Sequence, residues 1–230
     1  MATLYLLSND LRIKDNPSLM RAAKDERLAI AYHLNSELFL KDRYGCRGIG
    51  PHRWRFLGEA LRDLDNQLSR LGQTVHLIAG SGYDDLCNII LSNRFDRVIR
   101  SRAHDAKTLR WWGRLKSQCP STKFLETDST TFYSEEDISF GERFPDTFSS
   151  FEKQMRGKVF RSMVDEPLIL PQAMEIESQW MPIPERTVGL SGGEEAGWAK
   201  LKDYFRSTGP SKYKETRNAL HGDEYATGLS

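Results

Sequence analysis

Thr3-Leu4-Tyr5-Leu6-Leu7-Ser8-Asn9-Asp10-Leu11-Arg12 opens with an apolar run of strand length that stops in a polar turn, and Asn16-Pro17 then starts a helix through Arg21 to Lys24. The same unit recurs downstream. Leu28 to Leu34 is a second apolar run whose Ala and Ile content predicts a strand buried on both faces. His52 to Leu71 predicts the clearest helix, with Trp54, Phe56, Leu57, Leu61, Leu64, Leu68 and Leu71 at three- and four-residue steps and Gly72 as its cap. Thr74 to Ala79 reads as a strand, Tyr83 to Asn93 as a helix and Arg97 to Arg100 as a strand. A helix from Asp105 to Lys116 and an extended piece from Lys123 to Thr127 complete the series. Such alternation predicts an α/β fold, a Rossmann-like doubly wound parallel sheet with right-handed crossovers and helices on both faces.

From about Thr131 the pattern changes. The stretch to Arg186 carries Pro145, Pro167, Pro171, Pro182 and Pro184, and its one periodic segment predicts a helix from Phe148 to Val159. Gly192-Gly193-Glu194-Glu195 then leads into Ala196 to Phe205, where Trp198, Leu201 and Phe205 share a helical face. The expected organisation is an α/β domain over 1–130, a connector over 131–190 and the opening helices of a second domain over 191–230.

The 230 residues allow one large domain or a domain plus part of another. With 33 basic and 32 acidic side chains the net charge is +1, so no overall field points to nucleic acid, and only local basic patches are left for that role. Cys46, Cys87 and Cys119 are odd in number and widely spaced, which fits free thiols in a reducing compartment. Leu4 to Leu7 is too short for a signal peptide or a membrane span and is followed by Asp10 and Arg12, so the expectation is a cytoplasmic protein with no membrane contact. The five histidines show no metal spacing, and no Ser, Cys or His sits in a nucleophile motif. No catalytic or metal-binding residue is assigned.

Asn9, Asp10 and Arg12 follow the first strand at the carboxyl end of the predicted sheet, where doubly wound folds bind ligands. The simpler reading, which the residue types favour, is a turn in which Asp10 and Asn16 cap backbone groups and Arg12 pairs with a carboxylate. Gly45 to Gly50 with Arg47 has neither the spacing nor the lysine of a P-loop and reads as a flexible loop. Asp84-Asp85 and Glu135-Glu136-Asp137 read as capping or solvated acids. Trp111-Trp112 offers a stacking surface for a flat chromophore, although adjacent helical tryptophans more often place one ring in the core and leave the other partly exposed. At the far end, a helix opening with Tyr213-Lys214-Glu215-Thr216-Arg217-Asn218 and a turn through Tyr225 and Thr227 to Ser230 have the make-up of a phosphate cradle.

Taken together, Leu4-Tyr5, Ser8-Asn9-Asp10-Leu11-Arg12 and Asp15-Asn16-Pro17 resemble the opening of the photolyase/cryptochrome family, and in particular its DASH-type cryptochromes. Further blocks resemble the same branch in the same order: Gly50-Pro51-His52-Arg53 with Arg55-Phe56-Leu57, then Phe144-Pro145-Asp146-Thr147-Phe148-Ser149-Ser150-Phe151, then Gly192-Gly193-Glu194, Lys202-Asp203-Tyr204-Phe205 and Tyr213 to Asn218. The resemblance implies an α/β domain that can hold an antenna folate or deazaflavin, an interdomain connector, and a helical domain that buries FAD. It also implies DNA as partner, with blue light driving repair of cyclobutane pyrimidine dimers, or else blue-light reception. The family's contacts to the FAD phosphates would fall on Tyr213, Thr227 and Ser230, with Arg217 four residues from Tyr213 on the same helical face.

Departures from the family pattern are informative. Leu6, Leu7 and Ser8 stand where an aromatic pair and an arginine are usual, and Ala103 stands near the position of a folate-contacting glutamate, which argues against a folate antenna. Ala226 and Gly228 replace a hydroxyl and a longer side chain in the flavin turn. Because the flavin-ring, electron-relay and lesion-binding residues would lie beyond Ser230, residues 1–230 alone are expected to be non-catalytic. One alternative is that a protein partner supplies a helical flavin domain and covers Trp198, Leu201, Tyr204 and Phe205. The other is a stand-alone nucleotide- or small-molecule-binding α/β protein that uses the loop at Asn9, Asp10 and Arg12.

Overall fold

Asn16, which precedes Pro17, accepts a hydrogen bond from the Leu19 amide at 2.9 Å and so starts the first helix directly after the first strand. The computed structural model describes residues 1–80, 82, 84–133, 137–138, 140, 143–185 and 190–216. Strands β1 (Ala2–Leu7), β2 (Arg27–Asn35), β3 (Val75–Gly80), β4 (Arg97–Ser101) and β5 (Lys123–Thr127) lie in the order β3-β2-β1-β4-β5, and the short β6 (Gln172–Ala173) pairs with the start of β2. Every pairing is parallel. Helices α1 (Pro17–Ala22), α2 (Pro51–Ser69), α3 (Asp84–Ser92) and α4 (Ala106–Gln118) connect the five long strands; α5 (Phe148–Met155), α6 (Glu194–Arg206) and α7 (Gly209–Thr216) come after them. The doubly wound α/β expectation therefore holds.

Alternation along the strands divides the core into two faces. Tyr5, Leu7, Leu28, Ile30, Leu77 and Ile99 point to one side, against Leu19 of α1 and Leu61, Leu64 and Leu68 of α2. Leu4, Leu6, Ala29, Ala31 and Val98 point to the other, against Leu86 and Ile90 of α3 and Trp111, Trp112 and Leu115 of α4. Each large aliphatic side chain so buried contributes about 1.5–3 kcal/mol, which makes this two-sided core the main source of stability. Both tryptophans of α4 are buried on the second face, Trp111 against His33 and Trp112 against Phe124 and Arg100. Trp111 is 9% and Trp112 2% exposed, which corrects the expectation that one of them would stay partly exposed.

The segment after β5 departs further from expectation. α5 stops at Met155 because Gly157 adopts a positive φ of 87°, so the helix does not reach Val159. β6 was not predicted, and the helix expected to open at Tyr213 starts earlier, at Gly209. The segment is tied to the domain chiefly through α2, whose Arg55, Glu59 and Asp63 recur every fourth residue and so form one stripe along the helix. Arg55 donates to the Leu190 carbonyl at 3.0 Å, Glu59 accepts from the Gly192 amide at 2.8 Å, and Asp63 accepts from the Glu194 amide at 2.7 Å. Asp63 thus places a carboxylate at the amino end of α6, where the helix dipole favours it. Among the described residues no helix is long and apolar enough to cross a membrane.

Candidate functional site

The chain runs outward from β1 through β2 to β3, then returns to lay β4 on the other side of β1. Connections leaving β1 and β4 therefore go to opposite faces, and a crevice opens between their carboxyl ends. A cavity of about 650 Å³ occupies that position. Its walls come from the turn after β1 (Ser8, Asn9), the end of β2 (Tyr32, His33, Asn35), the segment after β4 (Arg102, Ala103, His104, Asp105) and α4 (Lys107, Thr108, Trp111). This volume lies within the roughly 300–1,000 Å³ usual for small-molecule sites.

One side of the cavity is an aromatic row. His33 stacks on Trp111 with ring centroids 5.9 Å apart and planes 26° apart, and Trp111 stacks on Trp112 at 6.3 Å and 27°. The guanidinium of Arg100 lies 4.0 Å from the Trp112 ring centre and donates to Glu126 from Nη2 at 2.7 Å and from Nε at 3.0 Å. Burial draws the Arg100 pKa down, and the hydrogen bond and charge of Glu126 oppose that shift. Arg102 pairs with Asp128 at 3.0 Å. Asp105 caps α4 by accepting from the Thr108 amide at 2.8 Å, and the Thr108 hydroxyl, followed by that amide, holds its carboxyl below the usual carboxylate value. Burial likewise holds the His33 pKa below that of a free imidazole, against the smaller opposing effects of Asp85 and the Gly82 backbone. A neutral ring is thereby favoured, and its Nε2 is buried with no hydrogen-bond partner among the described residues. A slot with aromatic rings on one side and polar and charged groups around the rest suits a planar heteroaromatic molecule that carries hydrogen-bonding groups.

Of the loop residues singled out in the sequence, only Asn9 lines this cavity. Asp10 is fully buried and accepts hydrogen bonds from Tyr5 Oη at 2.5 Å, from the Ser8 amide at 2.9 Å and from Ser101 Oγ. Burial, reinforced by the Asp10 charge, pushes the Tyr5 phenol well above its usual pKa. Arg12 donates to the carbonyls of Lys14 at 2.9 Å, Asp15 at 2.8 Å and Ser129 at 2.6 Å, with the Asp15 carboxylate farther off at 3.9 Å. Asp10 and Arg12 build the loop that presents Asn9. Tyr213 lies on α7, 46% exposed, whereas Arg217, Thr227 and Ser230 lie outside the described residues. His33 was not anticipated. The available signal was a polar ring near the end of an otherwise apolar strand beside the switch point. Among the described residues no cluster of three or more His, Cys, Asp or Glu could hold a metal ion.

The DNA photolyase family profile matches residues 3–169. Among curated proteins, the chain is 28% identical to "Cryptochrome DASH" of Idiomarina loihiensis, covering 99% of this chain and 52% of that protein. It is 29% identical to the chloroplastic/mitochondrial "Cryptochrome DASH" of Arabidopsis thaliana, covering 99% and 44% respectively. Among solved structures, a cryptochrome from Synechocystis superposes with a TM-score of 0.89 at 25% identity, over 99% of this chain and 51% of that one. The fold is shared as well with a class III photolyase from Agrobacterium tumefaciens, at a TM-score of 0.79 and 17% identity over 100% of this chain and 49% of that one. The chain spans about half the length of the curated relatives it matches.

Proposed function

The chain belongs to the DNA photolyase family, and on that premise we propose that its α/β layer holds an antenna pigment for a light-driven flavoprotein acting on DNA. The observation that carries this reading is the 650 Å³ cavity at the β1/β4 switch point, walled on one side by Trp111 and His33. An antenna works by passing excitation energy through space, so the protein's task is to fix the plane of the pigment and exclude water. Stacking against Trp111 fixes the plane, and the fold's carboxyl-end crevice sets its position. Ala103 stands where the family resemblance puts a folate-contacting glutamate, so the carboxylates on the wall are Asp105 and Glu37 instead, and a deazaflavin-type tricyclic ring is the pigment proposed.

In this reading 1–130 is the antenna domain, 131–190 the connector and 191–230 the opening of a helical flavin domain. FAD would supply the photochemical electron for dimer repair or for signalling. The exposed Tyr213 hydroxyl is suited to a phosphate oxygen, with Arg217, Thr227 and Ser230 as its companions. The exposed Trp198 and Phe205 of α6 offer an apolar surface that a helical flavin-binding partner would cover. The site of action is the cytosol.

Titration of the purified chain with a deazaflavin, a folate, FAD and adenine nucleotides, followed by tryptophan fluorescence and thermal shift, tests the reading. Saturable quenching and stabilisation by the deazaflavin are expected, with affinity at least tenfold weaker in Trp111→Ala. Stabilisation by none of these compounds would remove the antenna assignment. Stabilisation by nucleotides alone would move the chain to a stand-alone nucleotide-binding role.

A further inference from the structure

Cys87 on α3 and Cys119, the C-terminal cap of α4, place their sulfur atoms 3.1 Å apart beneath the second face of the sheet. They are 32 positions apart in sequence and belong to different helices. Cys119 is fully buried and Cys87 8% exposed, and both lie in the core that contains Leu86, Ile90, Trp112 and Leu115. Burial, with Cys87 adding to the effect, pushes the Cys119 thiol up to about 12. The Cys119 thiolate is therefore scarce, and large oxidants and reductants do not reach the pair.

We propose that Cys87 and Cys119 are a redox-modification site that closes to an intramolecular disulfide when a small neutral peroxide enters. Cys87, the more exposed of the two, attacks one oxygen of hydrogen peroxide. The O–O bond breaks, water leaves, and Cys87 becomes a sulfenic acid. Cys119 sulfur then attacks the Cys87 sulfur, the S–O bond breaks, the Cys119 proton leaves with the hydroxyl as a second water, and the S–S bond forms. Two thiols are oxidised by two electrons and one peroxide is reduced. Closing the gap to a disulfide bond length requires a movement of about 1 Å, within reach of side-chain rotation and a small shift of the end of α4. The result would staple α3 to α4, the helix that carries Trp111 at the cavity. Cys46 lies on an exposed loop and takes no part.

The experiment treats the full chain with a slight molar excess of hydrogen peroxide, quenches with iodoacetamide in denaturant, and reads intact mass and non-reduced peptides. The expected result is a loss of about 2 Da and a peptide linking Cys87 to Cys119, with a melting temperature about 5 °C or more above the reduced form. Cys87→Ala and Cys119→Ala, checked for folding by circular dichroism, should each abolish the linked peptide and the rise in melting temperature. Full alkylation of both cysteines after peroxide, or their conversion to unlinked sulfinic acids, would overturn the proposal. So would a linked peptide that appears only in denatured protein.

Discussion

Leu61 and Phe148 are both large apolar residues on helices, yet Leu61 is fully buried and Phe148 is 79% exposed. The contrast runs through the two regions to which they belong. Residues 1–127 bury two apolar layers against a sheet, whereas Met155, Leu170 and Ile176 are the only buried hydrophobic residues described from 143 onward. What holds the later region is mainly hydrogen bonding between α2 side chains and its backbone, together with the pairing of Asp15 with Arg161 at 2.6 and 2.7 Å. The non-directional force builds the sheet layers, and directional bonds, with a few apolar anchors such as Leu170 and Ile176, fix where the later segment lies on them.

Truncation should separate the two regions most clearly. Leu61→Ala is expected to lower unfolding free energy by about 3 kcal/mol, measured by urea denaturation, and Phe148→Ala to change it by no more than about 0.5 kcal/mol. Equal losses would dissolve the contrast. Next is the docking of α6. A Cβ at Gly192 would sit 2.0 Å from the Phe56 carbonyl oxygen, so Gly192→Ala has to push the amino end of α6 off α2. Loss of about 2 kcal/mol of local stability is expected, seen as faster amide exchange across 194–206 while β1 and β4 keep their protection.

Smaller effects come from charge. The hydrogen bond from Arg161 holds the Asp15 carboxyl below the usual range; burial opposes it, and the Val164 amide adds a smaller lowering effect. Because the folded pKa is depressed, the stabilisation is present above the unfolded value near ~3.8 and is lost as pH falls through the folded one. Asp15→Asn should therefore remove about 1 kcal/mol at neutral pH and flatten the acid limb below about pH 4 in thermal melts. The least is expected from His76, nearly buried on β3, whose pKa is lowered by burial against the opposing charge of Glu175. Unfolding exposes a more basic imidazole, so stability should fall as pH drops below about 6.5, and His76→Phe should reduce that slope. An unchanged slope would place the mild-acid sensitivity elsewhere.

The contrast also explains what could be read in advance. Five strands and the intervening helices were legible because burial on a sheet writes periodic apolar patterns, as in Leu28 to Leu34 and in the leucines of α2. β6 was not, since Gln172 and Ala173 carry no such pattern and pair only because Gln73 donates to the Pro171 carbonyl at 2.6 Å and Leu28 offers an open backbone edge. The carboxyl-end loop was found as a place, but the roles within it were not. Whether Asp10 faces a ligand or Tyr5 and Ser101 depends on a serine 91 positions away. The two tryptophans were seen as a pair, but their burial is set by His33, Arg100 and Phe124 on three different strands.

The stripe of Arg55, Glu59 and Asp63 has a consequence for the order of assembly. By the time a ribosome has released Thr127, all five long strands and the four helices between them exist, so the domain can form during synthesis. The acceptors for Gly192 and Glu194 are then already aligned on a finished helix, waiting for amides that are more than 130 residues younger. The amino end of α6 is laid onto a surface that folding has prepared for it.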